Sequence, residues 1–263
     1  MGHLMKAREI SEGNPYWVQI LDIFESDCSD ITSDHHRNLY IVTEFCQGGQ
    51  LSEEIRKRNI ANPSNTYTEK QALEIYFQLL LAIKVCHTEK WDVLHKDIKP
   101  QTIYFNKGNL SIDCIKLGGY VCSENIMKDS ETTRYSHPRV YSAPEFYFPG
   151  TDKGIWCDVW ACSCIFYEMI FGEGVSDKAM DDFEIMDKLL SGDLKKNCME
   201  KSEIGNGDRL SDDCADLLRK IFEKDYKLRI AYGELILHEC FDFCRDRYRQ
   251  CLSKQWQIVI FGL

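Results

Sequence analysis

The sequence lacks any long apolar run. No segment approaches the ~20 consecutive apolar residues of a membrane-spanning helix, and residues 1–10 carry no apolar core of signal-peptide type. An excess of positive charge is missing too, because 32 lysines and arginines stand against 42 aspartates and glutamates, a net charge of −10. A general surface for nucleic acid or anionic membranes needs basic patches. We therefore expect neither partner, and basic protein partners fit the charge better.

Paired metal-binding cysteines are also missing. The chain has 13 cysteines but no Cys-x-x-Cys pair, and the closest metal-like group, His238, Cys240 and Cys244, supplies only part of one zinc set. Scattered cysteines in apolar segments are typical of buried thiols. We expect packed thiols and, by default, a reducing cytoplasmic location.

The remaining composition, 44% hydrophobic and 28% charged, is that of an ordinary globular chain. Apolar periodicity and β-branched residues predict the secondary structure. Strands are expected over 17–24 and 38–45. One helix is expected to begin at Thr68, and further helices are expected over 51–58, 158–172, 211–222 and 232–251. The 158–172 segment is apolar around nearly its whole circumference, which predicts a buried helix.

One stretch, residues 94–121, organises the rest. Its first half, His95-Lys96-Asp97-Ile98-Lys99-Pro100-Gln101-Thr102, resembles the catalytic loop of protein kinases, and the Lys-Pro pair resembles the serine/threonine branch. Residues 141–145, Tyr-Ser-Ala-Pro-Glu, resemble the Ala-Pro-Glu motif, and 158–172 is similar to the central helix of the large kinase lobe.

This resemblance implies an α+β, protein-kinase-like bilobal fold. A large helical C-lobe is expected over residues 47–263. Residues 1–46 would form a small β-containing N-lobe with a helix, two strands and the hinge. This lobe would be truncated, because it contains no Gly-x-Gly-x-x-Gly loop and no ATP-anchoring lysine.

The resemblance also assigns roles by position. Asp97 would accept the substrate hydroxyl proton and Lys99 would neutralise the γ-phosphate. Thr43, Glu44 and Cys46 fall on the hinge beside the adenine, and Tyr104 falls on the floor of that pocket, where its ring either fills the pocket or turns into the core. The structural residues would be His95, Asp158, and an ion pair between Glu145 and Arg229.

The departures from the family pattern fall on the metal ligands. The catalytic-loop Asn is replaced by Thr102, a weak neutral ligand, and the Asp of Asp-Phe-Gly is replaced by Gly119. ATP and Mg²⁺ are the cofactors of the family, and these replacements argue against their productive binding here. We expect a catalytically impaired pseudokinase that scaffolds or regulates a protein. The alternative is a Ser/Thr protein kinase whose Gly-rich loop and ATP-anchoring lysine are missing from this chain.

Overall fold

The computed structural model describes residues 2–27, 37–62, 66–88, 90–106, 115–119, 124–125, 139–147, 154–175, 182–190, 203–252 and 254–261. The fold is mixed α and β. The helices are α1 Gly2–Ser11, α2 Leu51–Ala61, α3 Glu69–Cys86, α4 Trp156–Phe171, α5 Asp182–Leu190, α6 Asp212–Ile221, α7 Tyr232–Ile236, α8 Asp242–Gln250 and α9 Lys254–Phe261. The strands are β1 Ile20–Asp27, β2 Arg37–Thr43, β3 Val93–Leu94, β4 Ile103–Phe105, β5 Ile115–Leu117 and β6 Glu124–Asn125. Within these residues, no helix combines the length and the apolar character needed to cross a bilayer.

Two long helices, α3 and α4, form the centre of the helical part. Helix α3 begins at a capping box, in which the Thr68 hydroxyl accepts from the Gln71 N–H and the Gln71 side chain accepts from the Thr68 N–H. Helix α4 is buried on nearly every side and ends at Gly172, whose φ of 73° is the left-handed conformation that glycine adopts without strain. The Tyr76 and Phe166 rings stack between the two helices, 4.9 Å apart.

The strand expected over 17–24 is wrong in its bounds, because the structure divides this segment between two partners. Ile20–Asp27 pairs with β2 in an antiparallel ribbon. Residues 16–18 instead bond to β5: the Val18 N–H donates to the Leu117 carbonyl, and the Leu117 N–H donates to the Tyr16 carbonyl, both at 2.9 Å. This second pairing joins the ribbon to the helical part.

The catalytic-loop strands are short and antiparallel. Strand β4 pairs with β5, with Tyr104 opposite Lys116, and β3 pairs with β6. The segment between β3 and β4 contains the kinase-like loop, whose first residues bond to Asp158 of α4.

The single helix expected over 232–251 is wrong. The segment breaks into α7, a 3-10 turn at Glu239–Phe241 and α8. His238 lies at the break, where its side chain accepts a hydrogen bond from the Cys240 N–H and so begins the next turn. Histidine at that position satisfies a backbone donor that a continuous helix would have bonded internally.

Candidate functional site

Asp158, at the start of α4, holds the backbone of the kinase-like loop. Its carboxylate accepts hydrogen bonds from the His95 N–H at 2.8 Å and the Lys96 N–H at 3.0 Å, and its Oδ2 lies 2.8 Å from His87 Nε2. Burial alone would raise the pKa of Asp158, but the hydrogen bonds and neighbouring histidines outweigh it and hold the pKa well below its usual range. Asp158 is therefore a buried anion with its partners supplied by the fold.

The loop backbone bends sharply at this anchor. Lys96 has a φ of 64°, in the left-handed region that residues with side chains rarely adopt. His95 has no exposed surface: its Nε2 donates to the Gly118 carbonyl at 2.9 Å, and its Nδ1 accepts from the Asp97 N–H at 3.2 Å. Burial lowers the pKa of His95, so the ring is neutral and fixed in one tautomer.

Asp97 and Lys99 are brought together on this loop. Lys99 Nζ donates to Asp97 Oδ1 at 2.7 Å, and both side chains remain partly exposed. This carboxylate and ammonium group are the pair that the resemblance assigns to the substrate hydroxyl and the γ-phosphate.

Thr102 and Gly119 meet at the position of the metal ligands. The Thr102 hydroxyl accepts from the Lys99 N–H and lies within donating distance of the Asp97 and Lys99 carbonyls, at 2.8 and 3.0 Å. Gly119 has a φ of +90°, and a Cβ built there would lie 2.6 Å from Thr102 Cγ2. The hydroxyl is thus turned into the loop and the space of a Gly119 side chain is occupied, so these residues do not fit a kinase Mg²⁺ site.

The residues that the resemblance places on the hinge form several hydrogen bonds with other residues of the chain. Thr43 ends β2 on the surface. The Glu44 N–H donates to the Gln19 carbonyl, its carboxylate accepts from Lys116 Nζ at 2.6 Å, and the buried Cys46 accepts through its carbonyl from the Gly49 N–H.

Tyr104 packs against Gly118 below the hinge. A Cβ on Gly118 would lie 3.1 Å from Tyr104 Cε2 and 3.2 Å from Val18 Cγ2, so the ring lies almost on the glycine backbone. The side chain is half-buried and lies on the edge of the core. It therefore does not turn fully into the core.

Glu145 and Arg229 form a buried ion pair. Arg229 Nη1 and Nη2 donate to the two Glu145 oxygens at 2.9 and 3.1 Å, and Arg229 Nε donates to the Glu223 carbonyl. The guanidinium lies 4.7 Å from the centre of the Trp160 ring. This bidentate geometry ties the Ala-Pro-Glu-like segment to the C-terminal helices.

A pocket of about 460 Å³ lies between α2 and the kinase-like loop. Glu53 and Arg56 of α2 line one side, and Gln101 lies at the loop. Glu168 lines the far side, where its carboxylate accepts from the Tyr141 hydroxyl at 2.8 Å.

Two features of the site were not predicted from the sequence. The first is the Lys116–Glu44 pair; a single lysine in the apolar segment Ile115–Leu117 was the available signal. The second is His87, buried against Asp158, for which the sequence offers no local pattern.

Some predicted features fall outside the described residues or apart from the site. The polar loop that joins the first two predicted strands, including His35 and His36, and most of residues 120–144, which the resemblance assigns to the activation loop, lie outside the described residues. In the part of the chain that is described, no group of three or more His, Cys, Asp or Glu side chains could hold a metal, so His238, Cys240 and Cys244 form no such centre. Eight of the described cysteines are buried, as expected.

Sequence comparisons find relatives among serine/threonine-protein kinases. The chain is 26% identical over 224 residues to Serine/threonine-protein kinase ULK3 of Xenopus laevis, covering 84% of this chain and 43% of that protein. It is 28% identical over 263 residues to Serine/threonine-protein kinase ULK3 of Homo sapiens, covering 98% and 49%. Calcium-dependent protein kinase 5 of Plasmodium falciparum is 27% identical over 232 residues, covering 87% and 35%.

The chain thus spans half or less of the length of these curated relatives. Protein kinases use ATP and Mg²⁺ and act on protein substrates. The family model described as Protein kinase domain matches residues 6–241, and the chain therefore belongs to the protein kinase family.

Proposed function

We propose that this chain is a catalytically impaired protein kinase homologue that acts as a protein-binding scaffold or regulator. The observation that carries the proposal is the contact between Thr102 and Gly119. A Cβ at Gly119 would lie 2.6 Å from the Thr102 methyl carbon, so the pocket of the usual Asp ligand is occupied by the residue that replaces the usual Asn.

Phosphoryl transfer depends on charge neutralisation more than on covalent chemistry by the protein, and metal ions supply much of it. Removing one preorganised electrostatic stabiliser costs on the order of 10²–10³ in rate. Both metal-ligand positions are altered here, and the Thr102 hydroxyl is already hydrogen-bonded inside the loop. Even with Asp97 and Lys99 in contact, the proposal expects little transfer.

The parts of the site that hold the fold together are intact, which supports a binding role. Asp158 keeps the loop backbone in place, and the Glu145–Arg229 pair keeps the large lobe together. A fold kept without its metal-handling residues supports a role other than catalysis, because function depends on the site and not on the fold. The pocket beside α2, lined by Glu53, Arg56 and Glu168, offers charged groups of both signs to a partner segment.

The proposal extends to lobe boundaries and location. Residues 1–46 form the small lobe and residues 47–263 the helical lobe. Burial raises the pKa of the Cys86, Cys157 and Cys162 thiols, which supports packed, unreactive cysteines and a reducing, cytoplasmic location.

Thermal unfolding with and without ATP, each with and without Mg²⁺, tests the impairment. A ligand bound specifically at about 100 times its Kd adds about 2.7 kcal/mol and raises Tm by a few degrees. We expect no shift that requires Mg²⁺. A Mg²⁺-dependent shift would show that other ligands hold the metal and would reject the proposal.

The second candidate is a Ser/Thr protein kinase that transfers the ATP γ-phosphate to protein hydroxyls, with the Gly-rich loop and ATP-anchoring lysine supplied from outside this chain. The 2.7 Å contact between Lys99 and Asp97 favours it, because the pair assigned to the substrate is in place. Transfer of labelled phosphate to a generic basic protein separates the two candidates when the chain is assayed together with the polypeptide segment that supplies the loop and lysine. Transfer that Asp97→Asn abolishes would establish the enzyme, and equal background from both proteins would support the scaffold.

A further inference from the structure

Lys116 is a buried charge whose partners come from a distant part of the chain. It is the only charged residue of β5, Ile115–Leu117, and it is 8% exposed. Its Nζ donates to Glu44 Oε1 at 2.6 Å and to the Trp17 carbonyl at 3.3 Å. An ammonium group is costly to bury unless it is paired and hydrogen-bonded. These two partners are therefore what allows a lysine at this position.

Glu44 holds the base of the β1–β2 ribbon together. Its N–H donates to the Gln19 carbonyl at 2.9 Å, and its Oε1 accepts from the Gln19 N–H at 2.7 Å. The end of β2 is thus bonded to the residue that precedes β1. Because the same Oε1 also accepts from Lys116, the lysine bonds to both strands of the ribbon at their base.

The other partner, the Trp17 carbonyl, belongs to backbone that is fixed on the helices. The Trp17 indole Nε1 donates to the Ala82 carbonyl of α3 at 2.9 Å, and the Tyr16 hydroxyl donates to the Tyr248 carbonyl of α8 at 2.8 Å. Trp17 and Tyr16 are each 1% exposed. The lysine therefore bonds at once to a segment anchored on the helical part and to the base of the ribbon.

This position resists rotation of the ribbon. The chain enters the ribbon after Gln19 and leaves it at Glu44, and two neighbouring connections of this kind act as a hinge. Rotation about them would separate Lys116 Nζ from Glu44 and leave the ammonium group buried without its carboxylate. Helix α1 adds a contact, from Arg8 Nη2 to the Leu21 carbonyl at 3.1 Å, but this contact is exposed and competes with water.

We propose that Lys116 is a latch that locks the ribbon against the helical part, so that the two do not open and close about the hinge. The latch is independent of whether the chain transfers phosphate. A partner that contacts the ribbon and the helical part together then meets one fixed shape, and its binding does not include the cost of ordering the two.

Distances between spin labels on the two parts test the latch. The labels are attached to p-acetylphenylalanine in place of Phe24 on β1 and Phe243 on α8, whose side chains are 45% and 44% exposed. The keto group is labelled without reaction at the 13 cysteines. In Lys116→Met, double electron–electron resonance should show a distance distribution at least about twofold wider than in the labelled wild type. Glu44→Gln, which keeps the shape of the side chain, should also widen it.

Arg58→Met is the matched control. The Arg58 and Glu54 side chains pair at 3.0 Å and are 23% and 10% exposed, against 10% and 25% for Lys116 and Glu44, but both lie on α2. Breaking this pair should leave the distribution unchanged. Unchanged distributions in Lys116→Met and Glu44→Gln, or equal widening in the control, would overturn the proposal.

Hydrogen exchange separates a latch from a general contribution to stability. The exchange rate of a protected amide rises with the equilibrium constant for the opening that exposes it. Lys116→Met should raise the rates of the Gln19 and Glu44 amides at least about tenfold more than those of amides within α4. An equal rise at both places would mean that the lysine stabilises the chain as a whole, and the latch would be rejected.

Discussion

At the scale of single residues, Gly119 sets the shape of the loop at the position of the usual metal ligand. Its φ of +90° and its contact with Thr102 mean that the glycine is required by the backbone it adopts, and does not simply replace a carboxylate. Restoring a side chain at this position therefore has a cost in stability before it has any effect on metal binding. The absence of the carboxylate ligand at position 119 and the backbone conformation of the loop therefore depend on each other.

This coupling predicts the outcome of a double-mutant cycle. Gly119→Ala should destabilise the chain by about 2–4 kcal/mol, through backbone strain and the clash with Thr102 Cγ2. Thr102→Ser keeps the hydroxyl and removes that methyl group, so the Gly119→Ala cost should fall by about 1 kcal/mol in its presence. Urea unfolding of the four proteins measures the coupling. Additive effects would mean that the two residues do not compete for space.

The Glu145–Arg229 pair supplies a second residue-scale prediction. Glu145→Ala should destabilise the chain by about 3–5 kcal/mol, because it leaves the Arg229 guanidinium buried without its carboxylate. Asp212→Ala is the control, since its pair with Arg209 lies on the surface and exposed pairs contribute about 0–1 kcal/mol. Unfolding in denaturant compares them. Similar losses from both variants would contradict a buried, desolvated pair.

At the scale of elements, the sequence predicted the helices better than the strands. Helix α4 was predictable because its apolar residues cover the whole circumference, and the α3 start because a capping box is a local signal. The division of 17–24 was not, because the pairing of Val18 with Leu117 joins residues about 100 positions apart. Periodicity within a segment carries no information about such a partner.

The same distinction holds for the site. Asp97, Lys99 and Asp158 were assigned because a motif of fixed spacing contains or accompanies them. The Lys116–Glu44 pair and the closure of Thr102 over Gly119 depend on how distant strands approach one another. Local sequence patterns therefore identified the candidate residues and the replaced ligand positions, while the packing of Thr102 against the Gly119 position became visible only in the structure.

The α3 capping box yields an element-scale prediction. Thr68→Ala should destabilise the chain by about 1 kcal/mol, because the Gln71 N–H loses its acceptor at the first turn. Thr68→Ser retains the hydroxyl and should cost much less. Thermal unfolding of both variants checks this, and equal losses would show that the threonine methyl group, and not the cap, matters.

At the scale of the whole molecule, buried titratable groups tie the stability of the fold to pH. Burial lowers the pKa of His95, whose two ring nitrogens are both hydrogen-bonded within the loop. The unfolded chain binds a proton there at its ordinary pKa of 6.5, while the folded chain binds it only at lower pH. Stability is therefore full above pH 6.5 and falls as the pH drops below it. Asp158, whose pKa is depressed, adds a further loss only at much lower pH.

The expected slope below pH 6.5 is at most about 1.4 kcal/mol per pH unit for one such histidine. Urea unfolding at pH 7.5, 6.5 and 5.5 measures it in wild type and in His95→Gln. The variant should be less stable at every pH but should lose less between pH 6.5 and 5.5. Thr68→Ala is the control for general destabilisation, and its slope should match that of wild type. A His95→Gln slope equal to that of wild type would contradict the prediction. The acid sensitivity would then come from another group, because replacing the buried ring would not have changed the difference in proton binding between the folded and unfolded chains.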